Sequence, residues 1–547
     1  MRRTTRNPRK TVTPFTGFPA LAALPALLGV ALCTGQQQQQ QSPAPAGVEG
    51  GGVTAAAVAG RSKLVAPGAN GTLVYAPWND RGDTIPDFSN CGYKGGGVPL
   101  PVAPVKETLS PAPTGGDDLA RVQAALDRVG ALSPDPKTGL RGAVLLKKGT
   151  YRLSDALKMT RSGVVLRGEG PDTILLGTAR KQYALVSVKG AERWTEVAGT
   201  RREVTDDYVP VGGRTVTVAD GSGFRPGDTV MLGRRGNAAW ITEIGMDRIA
   251  PRPNADPAGT KQWTPFELPF DRVVTKVEGN RVTLDAPLVC AIEKRWGGGY
   301  LAKYTDRGRI ENVGVESLHG TCEFDRTKKA TQRGVEYLSD EEHANRLVVF
   351  DDVKNAWAKN VSTRYMDGVT TTGYGAKWVT VEDGSSIDPV SVITGSRRYP
   401  YTTNGQLTLV RRCYARDSRH AFAFGSRVPG PNVFQDCKAE KEHATSEPHH
   451  RWSVGGLYDN VAANIAIQDR QWMGSGHGWA GANYVAWNCT GTLVVQKPPT
   501  AQNFAIGHVG KKVKGAFDRP DGWWESPGAH VAPRSLYDAQ VAARRAK

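Results

Sequence analysis

Cysteine, methionine and acidic charge are all in short supply in this sequence. The 547 residues hold seven cysteines and six methionines, and 53 Asp and Glu stand against 70 Lys and Arg, a formal charge of +17. No two cysteines have C-x-x-C spacing, which excludes the usual structural zinc sites. One long apolar run occurs, Phe18 to Leu32, so a multi-span membrane protein is excluded. Gly474-Ser-Gly-His-Gly478 lacks a following Lys-Ser/Thr and is not a phosphate loop. No nucleic-acid motif accompanies the basic charge, and nucleic acid is not an expected partner. What is abundant is glycine: 64 residues, about 12% against an average of about 7%. Without a collagen period, that excess implies many tight turns between many short strands.

The N-terminus accounts for part of the charge. Arg2, Arg3, Arg6, Arg9 and Lys10 precede the apolar run, the layout of a secretory signal over residues 1–33. Discarding those five charges leaves +12. Cys33 is a candidate for lipidation, with cleavage after Ala31 or Cys33 as the alternative. Export permits one or two disulfides among the remaining six cysteines. Residues 34–70, rich in Gln, Ala, Gly and Pro, read as a flexible tether. Residues 71–140 form an N-terminal segment with a helix that opens at Asp117 and Asp118, carries Leu119, Val122, Leu126 and Val129 on one face, and ends near Gly130. Residues 141–500 read as short strands, with an inserted all-β unit at about 200–300, and 501–547 as a C-terminal cap whose short helix spans Ser535 to Val541.

Residues 310 to 490 contain a loose repeat. Asn312-Val-Gly-Val, Asn355-Ala-Trp-Ala, Leu409-Val-Arg-Arg-Cys413, Asn432-Val-Phe-Gln-Asp-Cys437 and Asn483-Tyr-Val-Ala-Trp-Asn-Cys489 are strands of one type. Cys413 and Cys437 are 24 residues apart, and Cys489 follows 52 later, about two further periods. A mid-twenties period is that of a parallel β-helix, in which like residues stack as ladders. Gly116-Asp-Asp-Leu-Ala-Arg-Val-Gln123, Gly149-Thr-Tyr151 and Val164-Val-Leu-Arg-Gly-Glu-Gly170 resemble the opening coils of the pectate-lyase-like superfamily. The resemblance implies an all-β, right-handed parallel β-helix with an N-terminal capping helix. It leaves the reaction open, since that superfamily holds lyases, glycoside hydrolases, esterases and phage tailspikes. Pro448-His-His-Arg-Trp452 and Gly476-His-Gly-Trp-Ala-Gly481 are similar to segments of secreted bacterial β-helix proteins.

The sharpest local signal is a His-x-aromatic motif occurring three times: His420 with Phe422, His450 with Trp452, and His477 with Trp479, at intervals near one coil. Their stacking would place three imidazoles beside three rings. With the rings inward, Arg419, His449 and Arg451 would point outward. Arg397, Arg398, Tyr399 and Arg470 are further candidates for substrate binding, with His449, Trp452 and Trp479, because guanidinium groups clamp carboxylates. Asp383 and Asp388, with Glu382, are candidate Ca²⁺ ligands, although no cofactor is required by the sequence.

A basic, imidazole-rich surface suits an acidic polysaccharide. Cleaving a uronate polymer by β-elimination needs a base for the C5 proton, a cation on the carboxylate and a proton for the leaving oxygen. His450 is the candidate base, Arg451 or Arg419 the neutraliser, and His420 or His477 the support. A glycoside hydrolase would instead need a carboxyl pair drawn from Asp383, Asp388, Asp417, Asp436 and Glu447. A non-catalytic, tailspike-like polysaccharide binder is the third reading. The expected protein is a secreted monomer that touches a membrane only through a lipid at Cys33.

Overall fold

A computed structural model describes residues 60–546 apart from 114 and 255; the signal, Cys33 and residues 34–59 of the tether fall outside the described residues, whereas residues 60–70, expected as tether, pair with Val531–Ala532 and Leu73–Tyr75 and bury Leu64 and Val65. Helix α1 (Leu119–Ala131) starts behind Asp118 and buries Val122, Ala125, Leu126 and Val129. Gly130 lies inside its last turn rather than beyond its end. The buried side chains join the same apolar core as Val144, Leu146, Tyr151 and Leu157 of the first coils.

The body is a right-handed parallel β-helix. One face is a ladder of short parallel strands: β1 (Leu157–Met159), β2 (Ala184–Lys189), β3 (Arg346–Asp351), β4 (Gly368–Thr372), β5 (Tyr401–Thr403), β6 (Phe422–Ser426) and β7 (Glu447–His450). A bridge from Ser446 to Ile465 continues it into β8 (Ile465–Ile467), β9 (Thr490–Val495) and β10 (Val509–Lys512). The other strands wrap the remaining faces. Their register stacks Val381, Val410, Phe434, Tyr458, Ala486, Ala505 and Trp524 in one column over seven coils. The coils therefore run on through Phe504–Ile506 and Trp523–Glu525, past the end expected near Pro499.

The repeated cysteines have one geometric cause. Asp383, Arg412, Asp436, Asn460 and Asn488 follow aligned strand ends, and each has φ between 50° and 58°. A one-residue left-handed corner suits Asn and Asp, whose short polar side chains tolerate it. The next residue turns inward, and Cys413, Cys437, Val461 and Cys489 sit there in the core. All six described cysteines are buried and free, so the disulfides that export would permit do not form among them.

Between Thr195 and Thr305 the chain leaves the helix and builds an antiparallel sheet around Thr229–Gly236, Phe266–Glu278 and Gly299–Thr305. Its apolar core, with Trp240, Phe266 and Phe270, takes in Trp452, Val454, Trp479 and Ala482 of the helix. Beside this contact Asp271 is buried between Arg309 (2.7 Å), Lys377 (2.7 Å) and the Tyr304 hydroxyl (2.5 Å). Helix α2 (Leu536–Arg545) does not cover the open end of the β-helix. It packs on a flank, where Asp459 accepts the Ser535 hydroxyl and the backbone N–H groups of Leu536 and Tyr537, while the Tyr537 hydroxyl bonds the Cys91 carbonyl. Among the described residues no helix is long and apolar enough to cross a membrane.

Candidate functional site

Successive coils bring the histidines together at the ends of β5, β6 and β7. Thr402 pairs with Ala423, and Ala423 with Glu447, so residues of these strands stand one above another. Tyr399 precedes β5, His420 precedes β6, and His449 and His450 close β7. Imidazole centroids run in a chain: His420 to His449 4.8 Å, His449 to His450 5.2 Å, His450 to His477 4.9 Å and His449 to His477 5.0 Å. His449 thus joins the three expected histidines as a fourth member.

The inner half of this cluster is organised by Glu447, whose side chain is only 2% exposed. Its Oε1 accepts from Arg470 at 2.6 Å and from His449 Nδ1 at 2.8 Å, and lies 3.2 Å from His420 Nδ1. Its Oε2 accepts the Thr445 hydroxyl at 2.9 Å. Tyr399 stands edge-on to His420 with its hydroxyl 3.3 Å from His449 Nε2, and Arg419 donates to that hydroxyl at 2.9 Å. Burial pushes Tyr399 up to about 12 against the opposing charge of Arg419. His420, Glu447 and His449 offer three atoms close enough for one metal ion. Arg470 fits poorly with that use, because its terminal nitrogen already lies 2.6 Å from Glu447 and 2.8 Å from His449 Nδ1. A cation there would meet a guanidinium already bound to the Glu447 oxygen and lying close against the His449 nitrogen.

The outer half is different in kind. Arg427, Arg451 and His477 lie on consecutive coils, linked by backbone hydrogen bonds from Arg427 to Arg451 (2.9 Å) and from Arg451 to His477 (3.0 Å). Among the described residues neither Arg427 nor Arg451 has a carboxylate partner. Arg451 donates to the Ser475 carbonyl and hydroxyl, and Arg427 lies over the Phe266 ring at 4.1 Å. Burial and then the neighbouring Arg451 lower the pKa of Arg427. Tyr374, 46% exposed, donates to the Ser426 carbonyl beside them.

The Nδ1 atoms of His450 and His477 and Nε2 of His420 are buried without a hydrogen-bond partner. Burial, then the charges of Arg451 and Arg470, push His450 down to about 4. Burial takes His420 to about 3 and also lowers His449 and His477. Neutral imidazoles beside guanidinium groups without acid partners can receive an anion and accept a proton.

Several expected site residues are elsewhere or otherwise engaged. Trp452 and Trp479 are 1% and 3% exposed and hold the inserted sheet, so they offer a substrate no ring face; Phe422 packs separately in the helix core. Arg398 is buried against Asp417, Arg397 pairs with Glu341, and Arg470 serves Glu447, so none is a free carboxylate clamp. Asp383 pairs with Arg412, and Asp388 with Arg416 and Arg364. Glu382 is held by Lys359, Arg411 and Arg412. Each acid is already neutralised, so the three do not form a Ca²⁺ cage. Arg427 and Tyr374 were missed by the sequence reading. Arg427 precedes Arg451 by 24 residues, the Cys413–Cys437 interval, and that period places it on the same column. Nothing in the sequence marks Tyr374.

No family model matches the chain, and no curated protein matches it in sequence. Among solved structures it is similar to phage tailspikes. The gp49 tailspike of Pseudomonas phage LKA1 is 14% identical over 72% of this chain and 57% of its own, with a TM-score of 0.44. The gp61 tailspike of Pseudomonas phage phi297 is 14% identical over the same shares, with a TM-score of 0.41. The Gp54 tailspike of Acinetobacter baumannii bacteriophage AP22, solved with an A. baumannii capsular saccharide, is 13% identical over 73% and 56%, at 0.42. This chain spans little more than half the length of each.

Proposed function

We propose that the protein engages an acidic polysaccharide at the outer half of the cluster and cleaves it by β-elimination. The observation that carries this reading is the pair Arg427 and Arg451, without acid partners among the described residues, beside the imidazoles of His450 and His477. A uronate carboxylate between the two guanidinium groups would be neutralised, which acidifies the C5 proton. His450 accepts that proton, the C4–O bond breaks as the C4–C5 double bond forms, and the leaving oxygen takes a proton from the His450–His477 pair. The incoming carboxylate also cancels the cationic field on His450, raising its basicity when substrate is bound. Tyr374 offers an exposed ring for a sugar face.

Hydrolysis fits these residues less well. Asp383, Asp388, Asp417, Asp436 and Glu447 are each ion-paired with Arg, whereas a hydrolase needs one carboxyl protonated and another free. The test is a panel of uronate polymers followed by the ultraviolet absorbance of unsaturated ends and by reducing ends. New reducing ends without that absorbance mean hydrolysis, and retained polymer with neither means binding alone. His450→Ala is expected to lower turnover by about 10²–10⁴-fold, the usual weight of a general base. Full activity in both His450→Ala and Arg451→Ala would end the proposal.

A further inference from the structure

The face that carries the imidazoles continues toward the C-terminal coils. Ser446 bridges Ile465, Ile465 pairs with Leu493, and Leu493 pairs with Lys512. Three strand spacings of ~4.8 Å make that column roughly 14 Å long. At its far end lies a cleft of about 730 Å³, lined by the cations Lys512, Lys514 and Arg519, by Gln496 and Phe517, and by the acids Asp518 and Asp521. Lys512 is paired with Asp521, and Arg519 with Asp469. Lys514, in that lining, and Lys511, which precedes Lys512 outside it, are exposed and have no acid partner among the described residues. A second cleft of about 610 Å³ shares Arg519 and is lined by Gln471, Trp479 and Lys497. The Gln471 carbonyl accepts the N–H of Gly478, next to His477, so this second cleft adjoins the loop that presents the last imidazole.

We infer that the lysine cleft is a distal subsite for the same acidic polysaccharide, occupied by sugar units several positions away from the bond at His450. The inference rests on the function proposed above. It adds that the polymer runs along the helix axis toward the C-terminal end and that chain length beyond the imidazole cluster contributes affinity. Three features argue for it: the unpaired Lys514 in the lining with Lys511 close by in sequence, strand pairing that steps from Lys512 through Leu493 and Ile465 to a single bridge at Ser446 beside β7, and the Phe517 ring in the lining, which meets Trp472 edge-on at 5.5 Å.

The experiment uses the full chain and a Lys511→Ser/Lys514→Ser variant. Both lysines are exposed and unpaired, so the fold is undisturbed. Calorimetric titration with size-fractionated oligogalacturonates and oligoalginates, tetramers against dodecamers, reads the affinity. The variant is expected to bind the dodecamer of whichever polymer the native chain cleaves about tenfold more weakly, the scale of two lost ion pairs, and the tetramer unchanged. The salt dependence of dodecamer binding should also become shallower. Equal effects on both lengths, or none on either, would overturn the inference while native cleavage continued. Absence of binding or cleavage of any uronate by the native chain would instead remove the function proposed above, and this inference with it.

Discussion

Glu447→Gln keeps the size and shape of the side chain and removes only its charge. Among the described residues that charge is the sole acid paired with Arg470, and their side chains are 2% and 9% exposed. The amide oxygen can still accept from Arg470 or His449, but the guanidinium is left without a counter-charge in a place that water barely reaches. An uncompensated buried charge of this kind costs about 3–5 kcal/mol. Arg470→Met should be similarly costly, because it leaves Glu447 buried with only neutral donors. The double variant removes both charges and should be less damaged than the sum, with a coupling of about 1–3 kcal/mol. Denaturant unfolding followed by circular dichroism gives the global term. Hydrogen exchange over residues 420–450 tells whether the loss is confined to β6 and β7. Unchanged exchange and an unchanged midpoint in Glu447→Gln, or strict additivity in the double variant, would refute the role of Glu447 as the electrostatic centre of the cluster.

The buried imidazoles predict acid sensitivity. His450 and His420 have folded pKa values near 4 and 3 against an ordinary 6.5, so their contribution is fully present above 6.5 and is lost as pH falls from 6.5 toward 4. The loss should be on the order of a few kcal/mol, and His450→Gln should flatten the stability–pH curve in that window. For the same reason the acid limb of kcat/KM should fall near pH 4 rather than 6.5, checked by initial rates across buffers. Asp271→Asn leaves both Arg309 and Lys377 buried without a counter-ion. It should cost about 3–5 kcal/mol and raise hydrogen exchange in the strand Phe266–Glu278. Trp452→Ala removes a ring 1% exposed that meets Trp240 edge-on at 5.0 Å. A loss of about 3–5 kcal/mol should loosen the inserted sheet while β1 to β5 keep their protection.

The sequence alone determined the coil. The period linking Cys413 to Cys437, the short β-branched strands and the glycine excess are local, repetitive signals, and a parallel β-helix reads its sequence one turn at a time. The apolar stripe of α1 was legible for the same reason. The histidine cluster was legible as well, because stacked coils convert a 27-to-30-residue spacing into adjacency. Which side of each residue met solvent could not be read this way. Trp452 and Trp479 share the period of the motif, yet they are buried by Trp240 and Phe266, which arrive from an insertion some 200 residues earlier in the chain. The same limit applies to charge. Arg398, Arg470, Asp383 and Asp388 look like free ligands in one dimension, and only the fold shows that each is already paired. Among the described residues no acid pairs with Arg427 or Arg451, a result of long-range packing that no local pattern encodes.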